Sequence, residues 1–320
     1  AVPLFFTKYE ICCSMMHGYD WSWWSEGSKK DRIRRLPEAA DFVLKLDKGA
    51  ERIKKNVTEL TKAFNLATPH NDVMGKREDV AFFQSLRAFV VKLTTVDPGR
   101  HPGDVDQVMR QVLSSALVSQ EPTDVMEMLG YKKADISILS EEFLSRIRSM
   151  PQKNLAAELL KKMLKENITY EEKRNVVQSK RFSELIEESI TKYEKHIIDT
   201  TQFINVLIQL AKEMKEASER GARLGLTSDE LAFYDALGTD DAAVKLMGDE
   251  TLRTIAMEVA KTVSSNMTVD WSVREQAKAQ MRKSIKRLLT KYGYPPDKKE
   301  DATKLIIEQA EALCKLKTEE

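Results

Sequence analysis

Apolar residues recur at steps of three and four along nearly the whole chain, and this periodicity constrains the fold more than any other feature. Such steps place side chains on one face of an α-helix, whereas a half-buried strand would show strict alternation rich in β-branched residues. No segment sustains that alternation. Positions 50 to 64 are typical of one buried helical face, while apolar groups in residues 79–94 surround most of a helix. We therefore predict an all-α fold, a multi-helix bundle in which helix 79–94 is central.

The longest periodic stretch predicts one central helix over about 181–220. At 1.5 Å per residue, this helix would be a rod of roughly 60 Å. Its apolar stripe consists of Ile186, Ile190, Tyr193, Ile197, Thr200, Ile204, Leu207, Ala211 and Met214. A stripe of this length fits a self-association surface of the coiled-coil type, and it fits equally a helix packed across its own domain.

Glycine, proline and capping residues divide the chain into segments. Gly221 and Gly225 should end the long helix, and Thr227 with Glu230 forms a capping-box pattern that begins the next one. Prolines and glycines in 95–106 predict a loop. We expect three parts: an aromatic-rich junction at 1–30, a helical domain at 31–220 and a C-terminal helical domain at 221–320.

The last hundred residues contain two further predicted helices. Ser272 with Glu275 repeats the capping-box pattern, and Gly293 followed by Pro295-Pro296 supplies a stop, so a helix is predicted over 273–292. A final helix fits 298–316. Together these helices would form the core of a C-terminal subdomain.

The first 24 residues are unusually aromatic and apolar. The chain starts without a methionine, and three tryptophans stand within four residues, at positions that do not match helical core spacing: Trp21, Trp23 and Trp24. We expect a fragment whose upstream sequence covers this end. The tryptophans would then anchor a domain interface, although local burial explains them as well.

Charge and cysteine usage exclude several protein classes. Lys+Arg total 51 against Asp+Glu 50, so the molecule lacks the net positive field of a dedicated nucleic-acid binder. No stretch approaches the roughly 20 apolar residues of a membrane span, and no signal-peptide pattern occurs at the start. An odd cysteine count, 3, suits a reducing compartment. The expected location is therefore the cytoplasm, away from membranes.

The motifs that define common catalytic sites are missing from the sequence. Gly75-Lys76 has His70 where a phosphate-binding loop requires its first glycine, and Arg77 replaces the required hydroxyl. The four histidines stand far apart, and no nucleophile elbow of the G-x-S-x-G type occurs. We predict no catalytic, cofactor-binding or metal-binding residue, and hence no enzyme activity of this chain alone.

One charged feature rises above the background. Between Glu275 and Asp297 there is no acidic residue, and one side of predicted helix 273–292 carries five cations: Arg282, Lys283, Lys286, Arg287 and Lys291. Such a face would bind phosphates of duplex DNA or an acidic partner. The alternative is a solvated face with favourable charge near a helix C-terminus.

Two long motifs resemble a known family. LAKEMKEASERGARLGLTSDELAFYDAL and, after a spacer, TVDWSVREQAKAQMRKSIKRLLTKYGYPPD resemble the carboxy-terminal region of the restriction (R) subunit of type I restriction enzymes. The upstream stretches DVAFFQSLRAFVVKLT, DISILSEEFLSRIRSMPQKNLAAELLKKML and RNVVQSKRFSELIEES look like the helical region that precedes it. The resemblance covers nearly the whole chain.

The resemblance implies a specific parent polypeptide. R subunits of this family carry an amino-terminal nuclease domain and two motor domains that translocate DNA with ATP and Mg²⁺; none of those catalytic motifs has a matching position here. The parent would be an ATP-dependent type I site-specific deoxyribonuclease. Its carboxy-terminal regions support the motor and dock the R subunit onto the modification (methyltransferase) and specificity subunits.

Three functional hypotheses follow. The preferred one is an assembly module that joins the motor and nuclease to the methyltransferase core. The alternatives are direct contact with duplex DNA through helix 273–292 and a helical self-association scaffold.

Overall fold

The computed structural model describes residues 1–96, 140–238, 241–266 and 275–319. These residues form fifteen α-helices and no β-strand, which confirms the predicted all-α class for the described ranges. The helices, numbered in chain order, are α1 (Val2–Met15), α2 (Trp23–Glu26), α3 (Lys29–Leu44), α4 (Gly49–Ala67), α5 (Asn71–Met74), α6 (Arg77–Thr94), α7 (Glu141–Ser149), α8 (Lys153–Glu171), α9 (Val176–Glu194), α10 (Thr200–Leu224), α11 (Ser228–Leu237), α12 (Asp241–Met247), α13 (Asp249–Asn266), α14 (Glu275–Lys291) and α15 (Lys299–Glu319). The predicted loop beyond residue 96 and the Ser272 cap lie outside the described residues.

The chain divides into two compact units. In the described residues, the first unit comprises 1–96, 140–164 and 192–208. The second comprises 165–191, 209–238, 241–266 and 275–319. The predicted domain boundaries at 30 and 220 stay predictions.

The first unit is built around α6, as its circumferential apolar pattern predicts. Seven side chains of α6 are buried: Val80, Phe82, Phe83, Leu86, Phe89, Val90 and Leu93. Helix α4 packs against both α1 and α6, and it turns Ile53, Val57 and Leu60 into the core. Burying a large apolar side chain contributes about 1.5–3 kcal/mol, so this three-helix contact dominates the stability of the unit.

Polar contacts fix the start of α8 within the same unit. Asp41 of α3 accepts hydrogen bonds from the Leu155 amide at 2.9 Å and from Asn154 Nδ2 at 3.4 Å. The buried Lys162 ammonium donates to the carbonyl oxygens of Lys92, at 3.1 Å, and Thr95. These contacts satisfy backbone groups that helix ends leave unpaired.

The second unit has one apolar core formed mainly by α11, α13, α14 and α15. Helix α11 is buried on nearly all sides, from Leu231 to Leu237. Phe233, Ile255, Ile285 and Ile306 stand at the centre, each at most 1% exposed. Packing of α14 against both α13 and α15 fixes which of its faces remains at the surface.

The prediction of one central helix over 181–220 is wrong. The chain forms α9 and α10 with residues 195–199 between them, and His196 takes a left-handed conformation at φ 55° that interrupts the helix. Asp199 and Gln202 then cap α10 reciprocally: each side chain accepts a hydrogen bond from the other's backbone amide, at 2.8 and 2.9 Å. This capping box satisfies free amides at the start of a helix and therefore favours a new helix at this point.

The side chains of the predicted stripe are mostly buried despite the break. Ile186, Ile204, Leu207, Ala211 and Met214 are all at most 6% exposed. These five side chains therefore lie in the interior of their units, whereas Ile197 of the same stripe, between α9 and α10, is 67% exposed.

The predicted ends of the C-terminal helices agree with the structure. The Thr227 and Glu230 capping box is formed at the start of α11. Gly225 has φ 68° just after α10, and Gly293 has φ 69° just after α14. Glycine adopts this left-handed conformation without the steric cost that other residues bear. Gly221, by contrast, lies inside α10 and does not end it.

None of the helices in the described ranges combines the length and apolar character required to cross a bilayer.

Candidate functional site

The basic face of α14, defined by Arg282, Lys283, Lys286, Arg287 and Lys291, lies on the surface of the second unit. Met281, Ile285 and Leu289 form the buried seam of the helix and are at most 2% exposed. The steps of four between these residues keep the seam on one side. The five cations therefore stand on the other side, where four are exposed and Lys286 is partly exposed.

Two lysines of α14 have acidic neighbours. Lys278 is mostly buried, with 17% of its side chain exposed, and lies 3.0 Å from Glu311 and 3.8 Å from Glu275. Lys286 forms a 2.6 Å ion pair with Glu300 at the start of α15. These carboxylates neutralise the two ammonium groups locally, so neither contributes a full free charge to the surface.

The other four cations have no carboxylate within ion-pair distance among the residues that the structure describes: Arg282, Lys283, Arg287 and Lys291. The Lys291 ammonium lies over the aromatic ring of Tyr292, 5.1 Å from the ring centroid. Arg282, Lys283, Lys286 and Arg287 line a shallow, open depression of about 530 Å³, together with Ala279 and Thr290. The structure thus brings the five predicted residues together on one face; whether they contact DNA or a partner stays a prediction.

The tryptophan cluster lies in the first unit, around Phe82 of α6. Trp21 stacks on Phe82 with ring centroids 5.9 Å apart, and Trp23 and Trp24 meet the same ring edge-on at 5.8 and 5.7 Å. Trp23 and Trp24 are buried at 5% and 4% exposure, whereas Trp21 is half-buried. Local packing thus accounts for two rings, and Trp21 alone keeps appreciable free surface.

Two arginines of α3 cover the buried tryptophans. The Arg32 guanidinium lies 4.7 Å from the centroid of Trp24, and that of Arg35 lies 5.1 Å from Trp23. Cation–π contacts of this kind contribute about 0.5–1 kcal/mol each. Nearby, burial raises the pKa of Tyr19 to about 12, so its phenol stays protonated at neutral pH.

A polar cluster around Asp235, in the second unit, was not foreseen from the sequence. The buried Asp235 carboxylate accepts hydrogen bonds from Asn175 Nδ2 at 2.7 Å, Gln178 Nε2 at 2.9 Å and the Arg220 guanidinium. The adjacent Tyr234 hydroxyl donates to Asp249, and burial together with that hydrogen bond raises the pKa of Tyr234 to about 12. No short motif signals this cluster, because its members are up to 60 residues apart.

No group of three or more His, Cys, Asp or Glu side chains in the described part of the chain is arranged to hold a metal ion.

Comparison with known proteins identifies the family. Residues 1–316 match the family model described as type I restriction enzyme HindI endonuclease subunit-like, C-terminal. The chain belongs to this family. The assignment confirms the resemblance to R subunits seen in the sequence motifs, and it covers both units.

Two relatives of the chain are named as endonuclease subunits of type I restriction enzymes. A Methanocaldococcus jannaschii protein, provisionally named type I restriction enzyme MjaIXP endonuclease subunit, is 32% identical over 287 residues, which are 89% of this chain and 27% of that protein. The Haemophilus influenzae type I restriction enzyme HindI endonuclease subunit is 30% identical over 253 residues, 79% of this chain and 24% of that protein. The chain thus spans about a quarter of the length of these relatives. No solved structure matches it.

Proposed function

We propose that this HindI-like domain is an assembly module, which joins the motor and nuclease parts of a type I restriction subunit to a methyltransferase core of modification and specificity subunits. The observation that carries the proposal is the match of residues 1–316 to a C-terminal domain family of such subunits. The relatives are named endonuclease subunits, and about three quarters of each lies outside the matched region.

Each unit has structural features that support an assembly role. Both units have well-packed apolar cores, and helix termini such as those of α8 and α11 are held by specific caps. A scaffold transmits position between bound parts only if its own helices do not rearrange. ATP and Mg²⁺ would bind to the remainder of the parent polypeptide, which would carry out translocation and cleavage.

The tryptophan cluster has a defined place in this proposal. Trp21 would contact the motor domains that precede this region in the parent, because it is the cluster member with free ring surface. Trp23 and Trp24 would hold Trp21 in position through Phe82. Aromatic side chains of this kind are common anchors of protein interfaces.

The assembly role predicts that the 320-residue chain binds the methyltransferase core of its own restriction system. We expect the mixture to co-elute in size-exclusion chromatography with light scattering, at the summed mass of chain and core. The chain alone should neither hydrolyse ATP nor cleave DNA, with the intact R subunit as the positive control. Separate elution of the chain and the core at micromolar concentrations would contradict the proposal.

A further inference from the structure

We propose that the basic face of α14 binds the phosphate backbone of duplex DNA. This contact goes beyond the assembly role and does not depend on it. It is argued from three properties of the face: its uncompensated charge, the dimensions of the row of cations and the chemistry of the residues between them.

Four cations of this face lack a carboxylate partner in the described ranges, although the whole chain is nearly neutral, with a formal charge of +1. Arg282, Lys283, Arg287 and Lys291 have no carboxylate within ion-pair distance among the described residues, whereas Lys278 and Lys286 of the same helix are paired. Four cations on one exposed side repel one another, and an anionic ligand relieves that repulsion. A polyanion relieves it most, because it also releases counterions on binding.

The dimensions of the row match a DNA strand. Residues 282 to 291 span about 13 Å along the helix at 1.5 Å per residue. Successive phosphates of one strand rise about 3.4 Å along the duplex axis, so a row of this length covers the axial rise of about four base pairs. The same length is slightly greater than the roughly 12 Å width of the major groove. Cations on two successive turns, Lys283 and Arg287, therefore reach separate phosphates from one helix.

The residues between the cations favour phosphate over an acidic protein surface. Ala279 and Thr290 complete the lining of the depression, which has no aromatic or large aliphatic side chain among the lining residues described. Protein interfaces are enriched in aromatic anchors and depleted in lysine at their centre. Lys and Arg contacts without apolar anchors are instead the pattern of phosphate-backbone binding, which is independent of sequence.

Salt-dependent DNA binding by the 320-residue chain tests the proposal. Fluorescence anisotropy with a labelled duplex of about 20 base pairs gives the slope of log K against log salt concentration. Four phosphate contacts predict a slope of about −3.6, since each contributes about 0.9. Replacing one cation by alanine should reduce the slope by about 0.9 and weaken binding equally for unrelated duplexes. The variants are R282A, K283A, R287A and K291A.

Two further variants make the test specific. Lys278→Ala removes a cation of the same helix that is already paired with Glu275 and Glu311, so the slope should not change. Glu300→Gln removes the carboxylate paired with Lys286 and frees a fifth cation. We expect it to bind DNA more tightly, with a slope steeper by about 0.9.

Three results would overturn the proposal. One is the absence of DNA binding at about 50 mM salt, where backbone binding is strong. Another is an unchanged slope in the variant that lacks all four unpaired cations, with an unchanged circular dichroism spectrum showing that it folds. The third is displacement of the duplex by polyglutamate at equal charge concentration, which would assign the face to an acidic polypeptide. The mixtures contain no methyltransferase, so each result leaves the assembly role to its own test.

Discussion

Asp235 shows how a single buried carboxylate can hold several segments of the second unit together. Only 6% of its side chain is exposed, and its donors come from α10, α9 and the residue that precedes α9. An unpaired buried charge is costly, so the three donors are what makes this position tolerable for an acid.

Asp235→Ala is therefore expected to lower the free energy of unfolding by about 3 kcal/mol, because it leaves Arg220, Asn175 and Gln178 without their shared acceptor. Urea unfolding followed by circular dichroism measures the change. Asp229→Ala is the matched control on the same helix. Its carboxylate is 45% exposed and lies 3.5 Å from Lys317, so its removal should cost less than about 1 kcal/mol. Equal losses in the two variants would show that the Asp235 cluster has no special role.

At the scale of elements, the end of α3 and the start of α4 approach each other closely through their backbones. A Cβ atom at Gly49 would overlap the carbonyl oxygen of Val43. Lys48, just before it, has φ 48°, so the turn between the helices is already tightly wound. Position 49 requires glycine because there is no room for a Cβ atom beside the Val43 carbonyl oxygen.

Gly49→Ala should consequently lower the free energy of unfolding by about 3 kcal/mol, since the backbone must move to admit a methyl group. Gly75→Ala is the control. Gly75 has helical dihedral angles, and its added Cβ would meet its nearest atom at an ordinary 3.5 Å. Alanine there should stabilise the protein by about 0.4–1 kcal/mol, because it restricts the unfolded chain. Thermal denaturation of the two variants should shift in opposite directions; a shift in the same direction would refute the account of Gly49.

The sequence predicts these elements well where the signal is local. The apolar pattern of α6 and the glycine after α14 both correspond to observed features. The prediction fails at 195–199 because apolar periodicity continues across the break, whereas the Asp199-x-x-Gln202 capping pattern marks the start of a new helix. A period alone does not show whether the backbone between two turns is continuous.

The candidate sites differ in the same way, since a local pattern predicts one of them and not the other. The basic face was predictable because helical spacing alone places its cations opposite the seam of Met281 and Ile285. The ion pair between Lys286 and Glu300 was not predictable from that spacing, because Glu300 belongs to the next helix. The Asp235 cluster was missed because tertiary packing, and no local pattern, brings its members together.

At the scale of the whole molecule, the two proposals rest on family membership and on the charge of one helix. The chain belongs to a C-terminal domain family of type I restriction subunits and spans about a quarter of its relatives. Under the proposed assembly role, the packed helical cores of the two units would support docking of the subunit. Its basic face would in addition contact DNA, by charges that the fold leaves without carboxylate partners in the described ranges.

The most direct test of the assembly role is competition for the methyltransferase core. The core is first incubated with excess 320-residue chain, then intact R subunit and ATP are added, and cleavage of target DNA is measured. The variant lacking Arg282, Lys283, Arg287 and Lys291 should compete as well as the natural chain, which separates docking from DNA contact. We predict that cleavage falls as the chain concentration rises, because the chain occupies the docking surface without supplying a motor or nuclease. Cleavage that is unchanged at a large excess of chain would contradict the assembly role.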